Sequence, residues 1–391
     1  MQAQTLAPAA LDEARQRLEK AVAEGEIAGG ELLVLLDGKP ALHAVAGVLD
    51  VEDRTPWRSN TIVRIYSMTK PIVSVAAMQL HEQGRFGLDD PVARYIPAFE
   101  QVRVLVEEDG ERRLVKPKRP VTVRDLFRHT SGYSYGGGSV AEYYRREGMQ
   151  YHGDGAMFPP ELTLAEAAEA MARIPLLHQP GERFTYGFNT DLLGRLVEIW
   201  SGRTLDAHLR EAVLAPLAMN DTGFAVPPEK ADRFASCHTR KDGRLAVLDK
   251  RTTSPYLKGF KFLSGGGGLV STAEDYGRFC RMLLEGGQLE GRRLLRPETL
   301  REMFRNQLEQ AAGSFRFGLG FAISEVQLGE GAAARKAKVY SWGGYASTEF
   351  RVIPEARLAL VFLRQMIPTD NRLANRLFQT IYRGVRWADG E

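Results

Sequence analysis

Ser67-Met68-Thr69-Lys70 decides how the rest of this 391-residue chain is read. It sits between the apolar stretch Thr61-Ile62-Val63-Arg64-Ile65-Tyr66 and a second apolar run from Pro71 to Leu80. The second run predicts a buried helix with Ser67 in its first turn. Pro71 is tolerated there, since a first-turn amide has no intrahelical partner to lose. Ser67 and Lys70 are three apart, so their side chains share one helical face and can share a proton. The positive end of the helix favours an oxyanion beside the serine. A hydroxyl is a weak nucleophile until a base takes its proton, and a desolvated lysine can be that base. The plainer reading is a capping serine followed by a surface lysine, because S-x-x-K is short enough to arise by chance.

Other motifs argue against chance. Tyr186 lies in Pro180-Gly181-Glu182-Arg183-Phe184-Thr185-Tyr186-Gly187, just before an apolar helical pattern (Leu192, Leu193, Leu196, Val197, Ile199, Trp200). Trp342-Gly343-Gly344 precedes the strand-like Thr348-Glu349-Phe350-Arg351-Val352. His129-Thr130-Ser131-Gly132 and Gly265-Gly266-Gly267-Gly268-Leu269-Val270-Ser271-Thr272-Ala273-Glu274-Asp275 lie between them. In this order and spacing the chain resembles the serine β-lactamase and penicillin-binding-protein superfamily. More narrowly, it resembles the family VIII carboxylesterases, relatives of class C β-lactamases. The resemblance runs from about Ala28 to the C-terminal helix.

That resemblance implies an α+β fold, with an antiparallel sheet flanked by helices and a mainly helical second domain. The active site would lie in the groove between them. It implies Ser67 as nucleophile, Lys70 and Tyr186 as proton carriers, and the Ser67 and Tyr345 amides as the oxyanion hole. Trp342, Gly343 and Gly344 would border the substrate, the glycines letting the strand edge approach an acyl group closely. Two departures point away from β-lactams. The second motif reads Tyr186-Gly187-Phe188 where β-lactamases usually have Tyr-x-Asn, with Asn189 one position late. The third reads Trp342-Gly343-Gly344 where penicillin-recognising enzymes carry Lys-Thr-Gly, so the cation for the substrate carboxylate is missing. Family VIII esterases often show the first of these losses. The expected activity is hydrolysis of short-acyl esters through an acyl-enzyme. Acyl transfer to an alcohol is the first alternative, β-lactamase or peptidase action the second, and a non-catalytic binding protein the third.

Composition agrees with a soluble enzyme. Hydrophobic residues make up 44% of the chain, enough for a sizeable core in one large or two interleaved domains. A net charge of +3 does not suggest nucleic acid. Cys237 and Cys280 are far apart and read as two thiols rather than metal ligands. No charged segment followed by an apolar core opens the chain, and no apolar run reaches membrane-spanning length. The expectation is a cytoplasmic protein with a small-molecule ester substrate, no cofactor, no metal and no membrane partner.

Along the chain, Leu11 to Glu24 predicts an amphipathic helix. Glu31 to Leu36 and Ala41 to Val45 predict a hairpin around Asp37-Gly38. Helical patterns follow at Val123 to Arg128, Leu164 to Arg173, Asp191 to Ser201 and Leu205 to Val213. Strand patterns return at Phe315 to Ser324, Lys338 to Trp342, Thr348 to Ile353 and Leu358 to Leu363, and a last helix is expected from Arg372 to Trp387. Strands at both ends imply one sheet built from both ends, dividing the chain into residues 1–87 with 261–391, and residues 88–260. Two long aperiodic stretches remain, Ser134 to Pro160 and Pro227 to Lys261. The first, with Tyr135, Tyr143, Tyr144, Tyr151, His152 and Phe158, reads as an aromatic wall or lid, or equally as a surface excursion.

Gly132-Tyr133-Ser134-Tyr135-Gly136 literally matches the G-x-S-x-G nucleophile elbow, which needs a strand before the serine and a helix after it. Phe127-Arg128-His129-Thr130-Ser131 and Gly136-Gly137-Gly138 supply neither. Tyr133 and Tyr135 are therefore read as pocket residues and Ser134 as a bystander. His129 is expected to fix its loop through bonds to backbone. Gly265 to Gly268 lacks the Lys-Ser/Thr of a phosphate loop and is read as a close-packing segment, with Ser271 and Glu274 capping the next helix.

Overall fold

The computed structural model describes residues 4–149, 161–308 and 313–387. Its centre is a seven-stranded antiparallel sheet. The strands run in the order Arg316–Phe317, Ala322–Leu328, Arg335–Gly343, Glu349–Ile353, Leu358–Arg364, Gly29–Leu36 and Lys39–Gly47. The chain ends meet where Leu358–Arg364 pairs with Gly29–Leu36, Leu360 opposite Val34. Both strands are almost continuously apolar, so both faces of the sheet must be covered. The helices Pro8–Ala23 and Arg372–Arg383 cover one face, packing Leu18, Leu377 and Phe378 on Val34 and Leu360. Ala273–Leu284 and Thr69–Glu82 lie on the other side, in a core holding Leu33, Leu35, Val361, Ile72 and Phe279. The helices Val123–Phe127, Leu164–Ala172, Asn189–Ser201 and Leu205–Leu209 continue that core. Every residue from Thr69 to Met78 is buried, so the helix carrying Lys70 runs through the interior.

Several elements differ from the sequence expectation. The last helix stops at Arg383, and Val385–Trp387 forms a strand against Gln4–Leu6. At the break, Gly384 packs closely on the first helix, where a Cβ would lie 2.4 Å from Ala10 Cβ. The stretch Phe315 to Ser324 is two strand ends around a turn, because Gly318 lies against the Met303 carbonyl, 2.0 Å from where its Cβ would be. Thr272, not Ser271, caps the Ala273–Leu284 helix by accepting from the Asp275 amide, while Ser271 bonds Thr222.

The polar stretch Pro227 to Lys261 contains a hairpin, Cys237–Lys241 with Arg244–Asp249. Its turn is Asp242-Gly243, with φ of 51° and 77°. The hairpin leans on the sheet: His238 pairs with Met366, and Ser236 bonds the buried Asp50. The fully buried Arg64 bonds the Ala235 carbonyl at 2.7 Å and pairs with Asp249 at 2.6 Å. It also lies over the Phe234 ring at 4.2 Å. We propose the two-unit division of residues 1–87 with 261–391 and 88–260, with this hairpin as a part of the second unit clasped to the first. In the Ser134 to Pro160 stretch, Ala141–Arg146 is a short helix, and Tyr151, His152 and Phe158 lie outside the described residues. No helix among the described residues is long and apolar enough to cross a membrane.

Candidate active site

The turn that presents Ser67 is a single 3-10 turn, Tyr66–Met68, placed immediately before the Thr69–Glu82 helix. Sequence reading puts Ser67 inside the helix; the structure puts it one turn earlier. The cause lies at Tyr66, whose φ of 43° is unfavourable for a residue with a side chain. A buried position for the Tyr66 ring, edge-on to Tyr345 at 5.9 Å, goes with that conformation. Lys70 lies one turn on and is almost wholly buried. Its Nζ donates to Ser67 Oγ at 3.1 Å, to the Tyr135 hydroxyl at 2.9 Å and to the Gly266 carbonyl at 2.6 Å. An ammonium has three protons to donate, and these three acceptors match them.

Tyr186 is brought to the same place by another route. Lys70 Nζ lies over its ring, 4.5 Å from the centroid, and its hydroxyl accepts from Trp342 Nε1 at 3.1 Å. Ser67, Tyr135, Tyr186, Trp342, Gly343, Gly344 and Tyr345 line one cavity of about 710 Å³. Ser341, Glu349, Thr369 and Asn371 line it as well. Gly344 sets the distance between the sheet edge and the turn that carries Ser67. A Cβ there would lie 2.3 Å from the Ile65 carbonyl and 2.2 Å from Thr348 Oγ1. Such a layout, with a buried lysine on a serine hydroxyl at the mouth of an aromatic groove, suits acyl transfer.

The Beta-lactamase family model matches residues 14–377. The chain belongs to the beta-lactamase family. It is similar to Esterase EstB of Burkholderia gladioli, 30% identical over 351 residues, covering 83% of each chain. Among solved structures it is similar to EstCE1, a hydrolase with promiscuous acyltransferase activity. There the TM-score is 0.77 at 26% identity, over 96% of this chain and 99% of that one. It is also similar to Simvastatin Synthase (LovD) from Aspergillus terreus, with a TM-score of 0.79 at 25% identity over 96% and 97% of the two chains.

Within this beta-lactamase family fold, Phe188 and Asn189 show what the shifted second motif does. Phe188 is buried against Tyr135 and Tyr144, with ring centroids at 4.8 and 6.0 Å. Asn189 accepts from Ser131 Oγ and donates to the Tyr133 carbonyl at 3.4 Å, so it closes the loop behind the site. Two expectations need correction. Tyr133 is not a pocket residue: it is fully buried, its hydroxyl donates to the Met171 carbonyl at 3.0 Å, and it packs on Phe99. The stretch is an irregular loop and not a strand, so residues two apart need not share a side, and only Tyr135 turns to the cavity. His129 does not fix its loop through its ring. Its Nδ1 is buried without a partner, and the ring packs on Tyr186 at 4.9 Å and on Phe184 and Phe317 at 5.7 Å. Burial, helped by the Lys70 charge, holds its pKa well below the usual histidine range, so it is neutral.

Ser134 has no base. Its Oγ accepts from the Gly136 amide at 3.1 Å, and its backbone is pressed against Gly187. Sequence reading missed three partners of Lys70. The direct Tyr135 contact and the Gly266 carbonyl are two; the third is Asp191, buried in the first turn of the Asn189–Ser201 helix and electrostatically coupled to Lys70. The signal available was the run of glycines, which marks a backbone approach without saying to what. Among the described residues, no cluster of three His, Cys, Asp or Glu side chains could hold a metal.

Proposed function

We propose that this protein is a serine carboxylesterase of the family VIII type, acting on short-acyl esters through an acyl-enzyme. The observation that carries the reading is the 3.1 Å contact between Lys70 Nζ and Ser67 Oγ in an aromatic cavity. Lys70 in its amine form takes the Ser67 proton as Oγ attacks the ester carbonyl. Tyr135 and the Gly266 carbonyl keep the amine in place during the transfer. The carbonyl oxygen becomes an oxyanion facing the Ser67 and Tyr345 amides, each donor contributing roughly 3 kcal/mol. Tyr186, whose ring lies under the ammonium, protonates the departing alkoxide and recovers its proton from Lys70. Water then repeats the sequence on the acyl-enzyme and restores Ser67. The names of Esterase EstB and EstCE1 support hydrolysis.

Acyl transfer to an alcohol is the second reading. A cavity of about 710 Å³ leaves room beside the acyl group for a second molecule, and the likeness to LovD supports it. β-Lactam turnover is disfavoured. The cavity wall carries no lysine or arginine among the described residues, and its one charged side chain is Glu349. We also propose a cytoplasmic location, which the two buried free thiols, Cys237 and Cys280, support.

The test is turnover of p-nitrophenyl acetate, butyrate and palmitate, alone and with a primary alcohol, beside benzylpenicillin. The reading expects acetate and butyrate to be hydrolysed well, palmitate poorly and penicillin hardly at all. No ester turnover, or efficient penicillin turnover, would overturn it. Ester product exceeding free acid at modest alcohol concentration would favour the transferase.

A further inference from the structure

Lys70 poses a charge problem that its hydrogen bonds do not solve. All three of its acceptors are neutral groups, and it is almost wholly buried. A buried ammonium is costly without a compensating charge. The carboxylate that answers it lies on the other side of one backbone residue, Gly266. Gly266 accepts from Lys70 through its carbonyl at 2.6 Å and donates through its amide to Asp191 Oδ1 at 3.0 Å. Ser264 Oγ donates to the same oxygen at 2.5 Å. Oδ2 is buried with no partner.

The surrounding backbone is shaped for this contact. A Cβ on Gly266 would lie 2.4 Å from Asp191 Oδ2, and one on Gly265 would lie 2.5 Å from the Thr190 carbonyl. Two glycines therefore let the loop press onto the first turn of the Asn189–Ser201 helix. An aspartate in a first turn commonly caps its own helix, but this helix has no side-chain cap bond from its N-cap residue, Phe188. The Asp191 side chain instead reaches the glycine loop. The N–H and the C=O of Gly266 belong to the two peptide groups that meet at its Cα, so the carboxylate on one and the ammonium on the other hold this residue between them. Burial raises the carboxyl's proton affinity, and the Lys70 charge opposes that rise.

We propose that Asp191 is a positioning residue for acyl transfer: by holding the Gly266 backbone it orients Lys70, and its charge balances the Lys70 ammonium. This rests on the serine-hydrolase reading, in which Lys70 accepts the Ser67 proton. By reciprocity, a negative charge here favours the ammonium, so its removal favours the amine.

The experiment compares wild type with Asp191→Asn, an isosteric change that keeps an acceptor for the Gly266 amide and removes the charge. Two rates are followed across pH 5 to 10: kcat/KM for p-nitrophenyl butyrate, and labelling of Ser67 by a fluorophosphonate. The ascending limb of both profiles is expected to move to lower pH by roughly one unit. KM should stay within about twofold and kcat at the plateau should fall, since the pocket is untouched and the base is weaker. A folded Asp191→Asn protein whose limb coincides with wild type would overturn the proposal. Where Asp191→Asn does not fold, Ser264→Ala decides. That donor helps to keep the buried carboxyl ionised, so its loss favours the neutral acid and should move the limb to lower pH, and an unmoved limb overturns the proposal. Labelling separates this from the esterase reading: wild type that labels at Ser67 but cleaves no ester sinks only the latter.

Discussion

At the residue scale, the site contains two serines with a motif and two tyrosines near one lysine, and the structure separates their duties. Ser67 has Lys70 at hydrogen-bond distance, whereas Ser134 Oγ accepts the Gly136 amide within its own turn. Ser67→Ala is expected to abolish ester hydrolysis and phosphonate labelling, and Ser134→Ala to keep most of both. A labelled peptide bearing Ser134 would overturn the assignment. The tyrosines differ in what they hold. Tyr135 hydrogen-bonds Lys70, and Tyr186 shows Lys70 its ring while its hydroxyl meets Trp342. Tyr186→Phe should cut kcat by about 10²–10⁴, the range for a positioned acid–base group, with little change in inhibitor binding. Tyr135→Phe leaves the proton donor in place but frees the amine to move, so a smaller fall is expected. The reverse order of losses, measured as kcat on p-nitrophenyl butyrate, would transfer the proton-donating role to Tyr135. Lys70→Ala should cost at least as much as Tyr186→Phe, and wild-type activity should rise through neutral pH toward the alkaline side, since the active form has lost a proton.

At the element scale, two contacts determine where these side chains stand. The first is the approach of the Arg335–Gly343 strand edge to the nucleophile turn. A Cβ at Gly343 would have only the Thr348 carbonyl near, at 3.1 Å, whereas one at Gly344 would strike Ile65 and Thr348. Gly344→Ala is therefore expected to lower kcat at least tenfold, and Gly343→Ala, which meets one carbonyl in place of two clashes, to cost less; equal effects in steady-state assays would contradict this geometry. The second is the capping box of the Val123–Phe127 helix, which leads into His129 and Thr130. Burial pushes the Asp125 carboxyl up, but bonds from Arg119, the Thr122 amide and Thr130 outweigh it and leave its pKa at about 2. Because that pKa is depressed below the ordinary 3.8, the stabilisation is present above about pH 4 and is lost as pH falls toward 2. It amounts to about 2 kcal/mol. Urea unfolding of Asp125→Asn should show that deficit at pH 7 and a shrinking one below pH 4. A deficit independent of pH would mean that the cap acts through geometry alone.

At the scale of the whole molecule, Arg64 ties the strand leading to Ser67 to the Cys237–Asp249 hairpin, far away in sequence. Replacing it with methionine strands Asp249 without its partner and should cost about 3–5 kcal/mol in urea unfolding, part of it recovered in the double variant Arg64→Met with Asp249→Asn. A loss under 1 kcal/mol would show that the cation–π contact with Phe234 and the pair contribute little. The same long-range character marks what could be read without coordinates. Order and spacing of Ser67, Lys70, Tyr186 and Trp342 pointed to the family, because a catalytic serine and lysine must share one helical turn. The alternating and continuous apolar runs at both ends pointed to one sheet, because each strand had to bury its faces. Local pattern could not place the Asp242-Gly243 hairpin, whose strands are polar and are held by Arg64, Asp50 and Gln365 from elsewhere. Nor could it tell Tyr135 from Tyr133, which differ only in the side to which the backbone turns them. Sequence by itself determined the fold family and the pairing of Ser67 with Lys70, since several motifs in one order mark the first and a spacing of three sets the second. Only the tertiary structure decided that Tyr135, Gly266 and Asp191 surround Lys70, because those contacts join four segments whose approach depends on packing and on glycines that admit it.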